Sequence, residues 1–230
     1  QGPLPRRSLA LAGLALSLPP PLRTLRVLRQ RGSSVLDIAS APDGRLLVSD
    51  GHVTVVNASD GASQAVASGW TWLPDALCPL TDGTNRLVSG NRGIRLYDLD
   101  TARSDAGVAP TREYHAHELS VRAIVELSHH RFASGGDDHM VRIGDLRSGD
   151  SLATLSGHTG AVCALAVADE YTLVSGGWDK ALWVWDTRTY AAVATITTRS
   201  EMRALKRLTD GTMASGHRDG VVRLLSLIHI

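Results

Sequence analysis

His158, Ser175 and Asp179 are the residue types that supply base, nucleophile and orienting acid in acyl transfer. All three fall in or beside short strand-like runs, where each is expected to be buried between strands with no room for a substrate. Their expected role is structural. His115-x-His117 and His129-His130 could bring imidazoles together, but no third ligand follows at a supporting spacing, so a metal is not expected. The chain has no phosphate-cradling loop, no nucleophile elbow and no dinucleotide glycine fingerprint. No enzymatic activity, cofactor or small-molecule substrate is expected.

The elements that must carry these residues repeat. Ser49, Ser89, Ser134, Ser175 and Ser215 each end an apolar run and lead through a small glycine-rich turn into a second run of Val, Leu or Ile. The steps between them are 40, 45, 41 and 40 residues. A period of about forty with strand-like patterning marks a propeller blade. In the fourth unit the strands are 151–155, 161–167, 172–175 and 182–185, with Leu182 and Val184 on one face and Trp183 and Trp185 on the other. Apolar residues on both faces suit a sheet sandwiched between neighbours. The third unit reads as strands 121–127, 131–134 and 141–143, and the fifth as 202–208, 212–215 and 221–224. The second reads as 76–80, 86–89 and 94–97, and the first as 35–39, 45–49 and 53–56. Asp43-Gly44, Asp82-Gly83 and Asp210-Gly211 fall at hairpins that need a positive φ. Residues 22–28 align with the outer strand that precedes Gly157-His158, and are expected to complete the last blade and close the circle.

Gly157-His158, Ser175, Asp179 and Trp185-Asp186 together resemble the WD40-repeat family, and the likeness extends over about residues 22–224. The resemblance implies an all-β fold, a β-propeller of four-stranded WD40 blades with about five present, a fragment of a seven-bladed ring. It also implies that His158, Ser175, Asp179 and Trp185 form a buried hydrogen-bonded tetrad. The chemistry is sound: a carboxylate orients an imidazole, which meets a hydroxyl, which accepts from an indole N–H. Blade three has His117, Ser134 and Asp138, but Gly144 stands where the Trp belongs. Blade two has Tyr97 there and no turn Asp, and blade five lacks the Gly-His.

In the family, partners dock on the face that bears the loops before the first strand and between the second and third. The two matching positions per blade are Arg122 and Asp137, Cys163 and Trp178, and Arg203 and Arg218. Arg122, Trp178, Arg203 and Arg218 are therefore the expected partner-binding residues. Arginine forks bind carboxylate or phosphate bidentately, and in some ubiquitin-ligase receptors of the family such arginines hold a phosphorylated peptide. Equally, each arginine could be spent on a nearby acid: Arg122 on Glu118 or Asp137, Arg203 on Glu201, Arg218 on Asp219. The implied function is a non-catalytic interaction scaffold for a protein or peptide that is acidic or phosphorylated. The alternative is a permanent structural subunit of a ribonucleoprotein or cytoskeletal assembly.

Composition adds bounds rather than a role. Twenty-four basic and 23 acidic residues leave a net charge of +1, which removes any global argument for nucleic acid or membrane as partner. Two cysteines, Cys78 and Cys163, read as buried small hydrophobes of an intracellular protein, cytoplasmic or nuclear. Residues 1–21, with Arg6-Arg7, the apolar run 9–18 and Pro19-Pro20-Pro21, are expected to be a disordered Pro/Arg-rich flank or leader. Residues 225–230, Leu-Ser-Leu-Ile-His-Ile, interrupt the blade pattern and read as a non-native, adapter-derived tail.

Overall fold

The computed structural model describes residues 37–41, 43–49, 53–56, 63–67 (backbone only), 75–91, 93–100, 109–115 and 117–226. The expected flank 1–21, the strand at 22–28 and residues 227–230 lie outside them. The described chain is a five-blade β-propeller of antiparallel sheets. Blade one comprises β1 (Asp37–Ser40), β2 (Leu46–Ser49), β3 (Val53–Val56) and β4 (Ser63–Ala67). Blade two comprises β5 (Ala76–Pro79), β6 (Arg86–Gly90), β7 (Ile94–Asp98) and β8 (Arg112–Tyr114). Blade three comprises β9 (Val121–Leu127), β10 (Arg131–Gly136), β11 (Val141–Asp145) and β12 (Ser151–Leu155). Blade four comprises β13 (Val162–Val167), β14 (Thr172–Gly177), β15 (Ala181–Asp186) and β16 (Ala191–Thr197). Blade five, among the described residues, has three strands: β17 (Met202–Arg207), β18 (Met213–His217) and β19 (Val222–Leu225). No helix among the described residues is long and apolar enough to cross a membrane.

The sequence repeat and the blade are out of phase. Residues 151–155, which precede Gly157-His158 in the fourth unit, pair with β11 and form the outer strand of blade three. The Gly157-His158 loop thus crosses from the outer strand of blade three to the inner strand of blade four.

The core lies between blades. Leu127, Val141 and Ile143 of blade three meet Val162, Leu173 and Trp185 of blade four, while Leu182 and Val184 on the opposite face of β15 meet Met202 and Met213 of blade five. That two-sided packing is why β15 is apolar from Ala181 to Trp185. Close approach also explains the glycine after the repeat serine: a Cβ on Gly90 would come 2.7 Å from Ile124 Cδ1 and 2.8 Å from Val121 Cγ1 of the next blade. The Asp-Gly hairpins have Gly44, Gly83 and Gly211 at φ 84°, 81° and 85°, a region L-residues rarely enter. In blade three the corresponding hairpin uses His129 and His130, both left-handed.

The position of the fourth blade's tryptophan varies by compensation. Trp185 is opposite Leu173, whereas in blade three Gly144 is opposite Phe132, whose ring fills the space a side chain at 144 would take. In blade five the register brings Leu225 opposite Met213, so β19 runs one residue past the expected boundary at 224.

Candidate functional site

Two constellations stand out, one buried and one on a face. In blade four, His158 Nδ1 lies 2.7 Å from Asp179 Oδ2, His158 Nε2 lies 2.8 Å from Ser175 Oγ, and Trp185 Nε1–H donates to the same oxygen at 2.8 Å. A carboxylate only accepts, so Nδ1 carries the proton. Ser175 accepts from the indole and must donate to Nε2. The imidazole is neutral, because burial pushes its pKa down and outweighs the attraction of Asp179. Ser175 is fully buried and His158 nearly so.

Blade three repeats the arrangement without the indole: His117 Nδ1 reaches Asp138 Oδ1 at 2.8 Å, and Nε2 reaches Ser134 Oγ at 2.8 Å. Blade five uses a different histidine. His217, inside β18, has Nε2 at 2.9 Å from Ser215 Oγ, and its Nδ1–H donates to the Ser200 carbonyl at 3.1 Å. The residue lies two positions beyond the serine, where Gly136 and Gly177 stand in the preceding blades, and not ahead of the inner strand, where the repeat places its loop histidine. The signal available was a histidine occupying a glycine position of the repeat. Among the described residues, no group of three His, Cys, Asp or Glu side chains converges as a metal would require.

The face is built by β-bulges. Register slips between Ala123 and Val121, between Ala164 and Val162, and between Ala204 and Met202 leave one residue unpaired on each inner strand: Arg122, Cys163 and Arg203. A bulge re-aims the extra residue and twists the strand end. Beside each bulge the next turn is tied down by a backbone bond. Asp137 N–H donates to the Ser120 carbonyl, Trp178 N–H to Ala161, and Arg218 N–H to Glu201, at 2.8, 3.0 and 2.9 Å. The carboxylates of Asp138, Asp179 and Asp219 then accept from the N–H two residues on, which closes each turn. One architecture thus presents Arg122 with Asp137, Cys163 with Trp178, and Arg203 with Arg218.

Acids already meet the arginines. Arg122 donates to both oxygens of Asp137 at 2.9 and 2.7 Å and lies 3.5 Å from Asp75 of blade two. Its pKa rises, mainly through the hydrogen bonds to Asp137. Arg203 and Arg218 both reach Glu201, at 3.1 and 2.9 Å. Asp219 pairs instead with Arg223, at 2.7 Å. The Arg203 guanidinium carbon stands 4.8 Å from the Trp178 ring centroid, a cation–π contact that leaves the indole 41% exposed. Cys163, expected as a buried hydrophobe, is only half-buried. Burial pushes its thiol to about 11, while Arg122 and Arg203 pull it down. Its bulge sets Cys163 on the blade between those that present Arg122 and Arg203. Cys78 is buried as expected.

A family model described as WD domain, G-beta repeat matches residues 109–145 and 149–186, two segments that run from β8 to β11 and from β12 to β15. The chain is 26% identical over 120 residues to the ribosome biogenesis protein YTM1 of Vanderwaltozyma polyspora, covering 45% of this chain and 25% of that one. It is 31% identical over 110 residues to WD repeat-containing protein 41 of Mus musculus, covering 43% and 24%. It is 38% identical over 76 residues to mitochondrial division protein 1 of Mycosarcoma maydis, covering 32% and 9%. The chain spans a quarter or less of the length of these curated relatives. A chain in the crystal structure of the mitotic checkpoint complex superposes with TM-score 0.74 at 24% identity, over 86% of this chain and 62% of that one.

Proposed function

We propose that this five-blade β-propeller, two segments of which match a WD40 family model, is a non-catalytic scaffold that docks a protein or peptide on the face bearing Arg122, Trp178, Arg203 and Arg218. The observation that carries the reading is the run of three bulges, which aims residues of consecutive blades at one face around a half-exposed Trp roofed by an Arg. Trp and Arg are the residue types enriched where a few side chains supply most of the binding energy. An acidic or phosphorylated segment is taken at the blade-five end, where one carboxylate serves two guanidiniums and leaves donor capacity for an anion. The free thiols fit a reducing cytoplasm or nucleus.

Calorimetric titration of the chain with one acidic peptide, phosphorylated and unphosphorylated, tests this. Tighter binding of the phosphopeptide, lost in Arg203→Ala and Arg218→Ala, is expected. Equal weak binding of both removes the phosphate component, and binding indifferent to Trp178→Ala removes the face.

A second reading, permanent membership of an assembly, is favoured by Val222 and Leu224 of β19, 69% and 68% exposed. It expects Val222→Lys and Leu224→Lys to release the protein from its complex in gel filtration, while alanines at the four face residues leave the complex intact.

A further inference from the structure

The docking face has a charge polarity. At the blade-two and blade-three end, two carboxylates, Asp75 and Asp137, share the single Arg122 guanidinium. At the blade-five end, two guanidiniums, Arg203 and Arg218, share the single Glu201 carboxylate. The carboxylate-rich end carries local charge −1 and the guanidinium-rich end +1, with Cys163 and Trp178 between them. Crowding is evident at the acidic end, where burial raises the pKa of Asp75 and Asp137 pushes it the same way against Arg122. The arrangement is graded along the face, so neither a uniformly acidic nor a uniformly basic ligand satisfies both ends.

Resting on the docking reading above, we propose that the partner segment is bipolar: an extended stretch with a Lys or Arg at one end for Asp75 and Asp137, an apolar or aromatic side chain over Trp178, and an acidic or phosphorylated residue at the other end for Arg203 and Arg218. Sheets stack about 10 Å apart and extended chain rises about 3.3 Å per residue, so two blade intervals correspond to about six residues of peptide. Opposite charges at the two ends also fix the register in which the segment lies, because reversing it sets like charges against each other.

Three labelled nine-residue peptides with a common Leu-Phe-Leu centre provide the test: one with Lys flanking one side and Glu the other, one with Lys on both sides, and one with Glu on both. Fluorescence anisotropy with the intact chain is expected to show the mixed peptide binding about tenfold tighter than either uniform one, at moderate salt. The preference should narrow in Asp75→Asn and, independently, in Arg218→Gln. If the Glu-only peptide binds as tightly as the mixed one, and Trp178→Ala weakens both, polarity is refuted and the docking face stands. If Trp178→Ala and Arg203→Ala change no affinity, or no peptide binds, both readings are refuted.

Discussion

Gly135 of blade three faces Val162 of blade four so closely that a Cβ on the glycine would come 2.6 Å from Val162 Cγ1. Among the described residues, Gly216, its counterpart in blade five, meets only Ala204 Cβ of its own blade, at 3.5 Å. The glycine is needed where a neighbouring inner strand descends on β10. Gly135→Ala is therefore expected to cost about 2 kcal/mol in urea denaturation, by overpacking, and Gly216→Ala well under half of that. Equal costs would show that backbone conformation, rather than blade contact, sets the requirement.

Ser175 and Ser134 are both fully buried but hold different numbers of partners. Removing the Ser175 hydroxyl leaves His158 Nε2 and the Trp185 N–H without partners, whereas removing that of Ser134 leaves His117 Nε2 alone. Each buried group left unpaired costs about 1–3 kcal/mol. Ser175→Ala should therefore be the more destabilising change by about 1 kcal/mol or more, read from the shift in urea midpoint at constant slope.

Acid should weaken the fold in a defined window. Burial holds His158 and His117 below the ordinary imidazole pKa of 6.5, and their carboxylate partners offset this only in part. The unfolded chain thus takes up protons more readily. Stability from these neutral rings is complete above pH 6.5 and declines as pH falls through that value toward the depressed native pKa. Asp138 is partly buried, which alone would raise its pKa, but its hydrogen bonds with His117 and with backbone N–H groups hold it below 3.8, so a further loss follows as pH drops past 3.8. The urea midpoint should fall from pH 7.5 to pH 5.5, and by less in a His158→Gln variant that still folds. A flat profile over that range would contradict neutral buried imidazoles.

His139 and Lys180, each following a turn aspartate, lie at φ 67° and 61°, where the blade-five counterpart is Gly220 at φ 78°. A side chain in this left-handed region costs about 1 kcal/mol. Lys180→Gly is expected to raise the melting temperature by a few degrees, since the conformation no longer opposes a Cβ even though glycine adds freedom to the unfolded chain. An unchanged or lower value would mean that the Lys180 side chain contributes packing that outweighs the strain.

Much of the architecture is legible in the sequence. The serine spacing marks the blades, and the two-sided apolar run around Trp183 and Trp185 marks strands packed on both faces, since short-range patterning follows directly from what each side chain must bury. The arginine partners were only partly readable. Arg203 meets the nearby Glu201 and Arg122 meets Asp137, both expected, but Arg122 also reaches Asp75 in the preceding blade, and Arg218 bypasses the adjacent Asp219 for Glu201, because Asp219 is held by the turn and by Arg223.

Residue type and period determined the strands, the buried serines and the Asp-Gly hairpins, because those depend on local conformation and on the alternation of faces. Only the tertiary structure decided that His217 replaces a loop histidine, that Phe132 occupies the space over Gly144, and that three bulges aim Arg122, Cys163 and Arg203 at one face. Each of these depends on distances between strands or blades that are remote in sequence, and a linear pattern holds no information about an approach made through space.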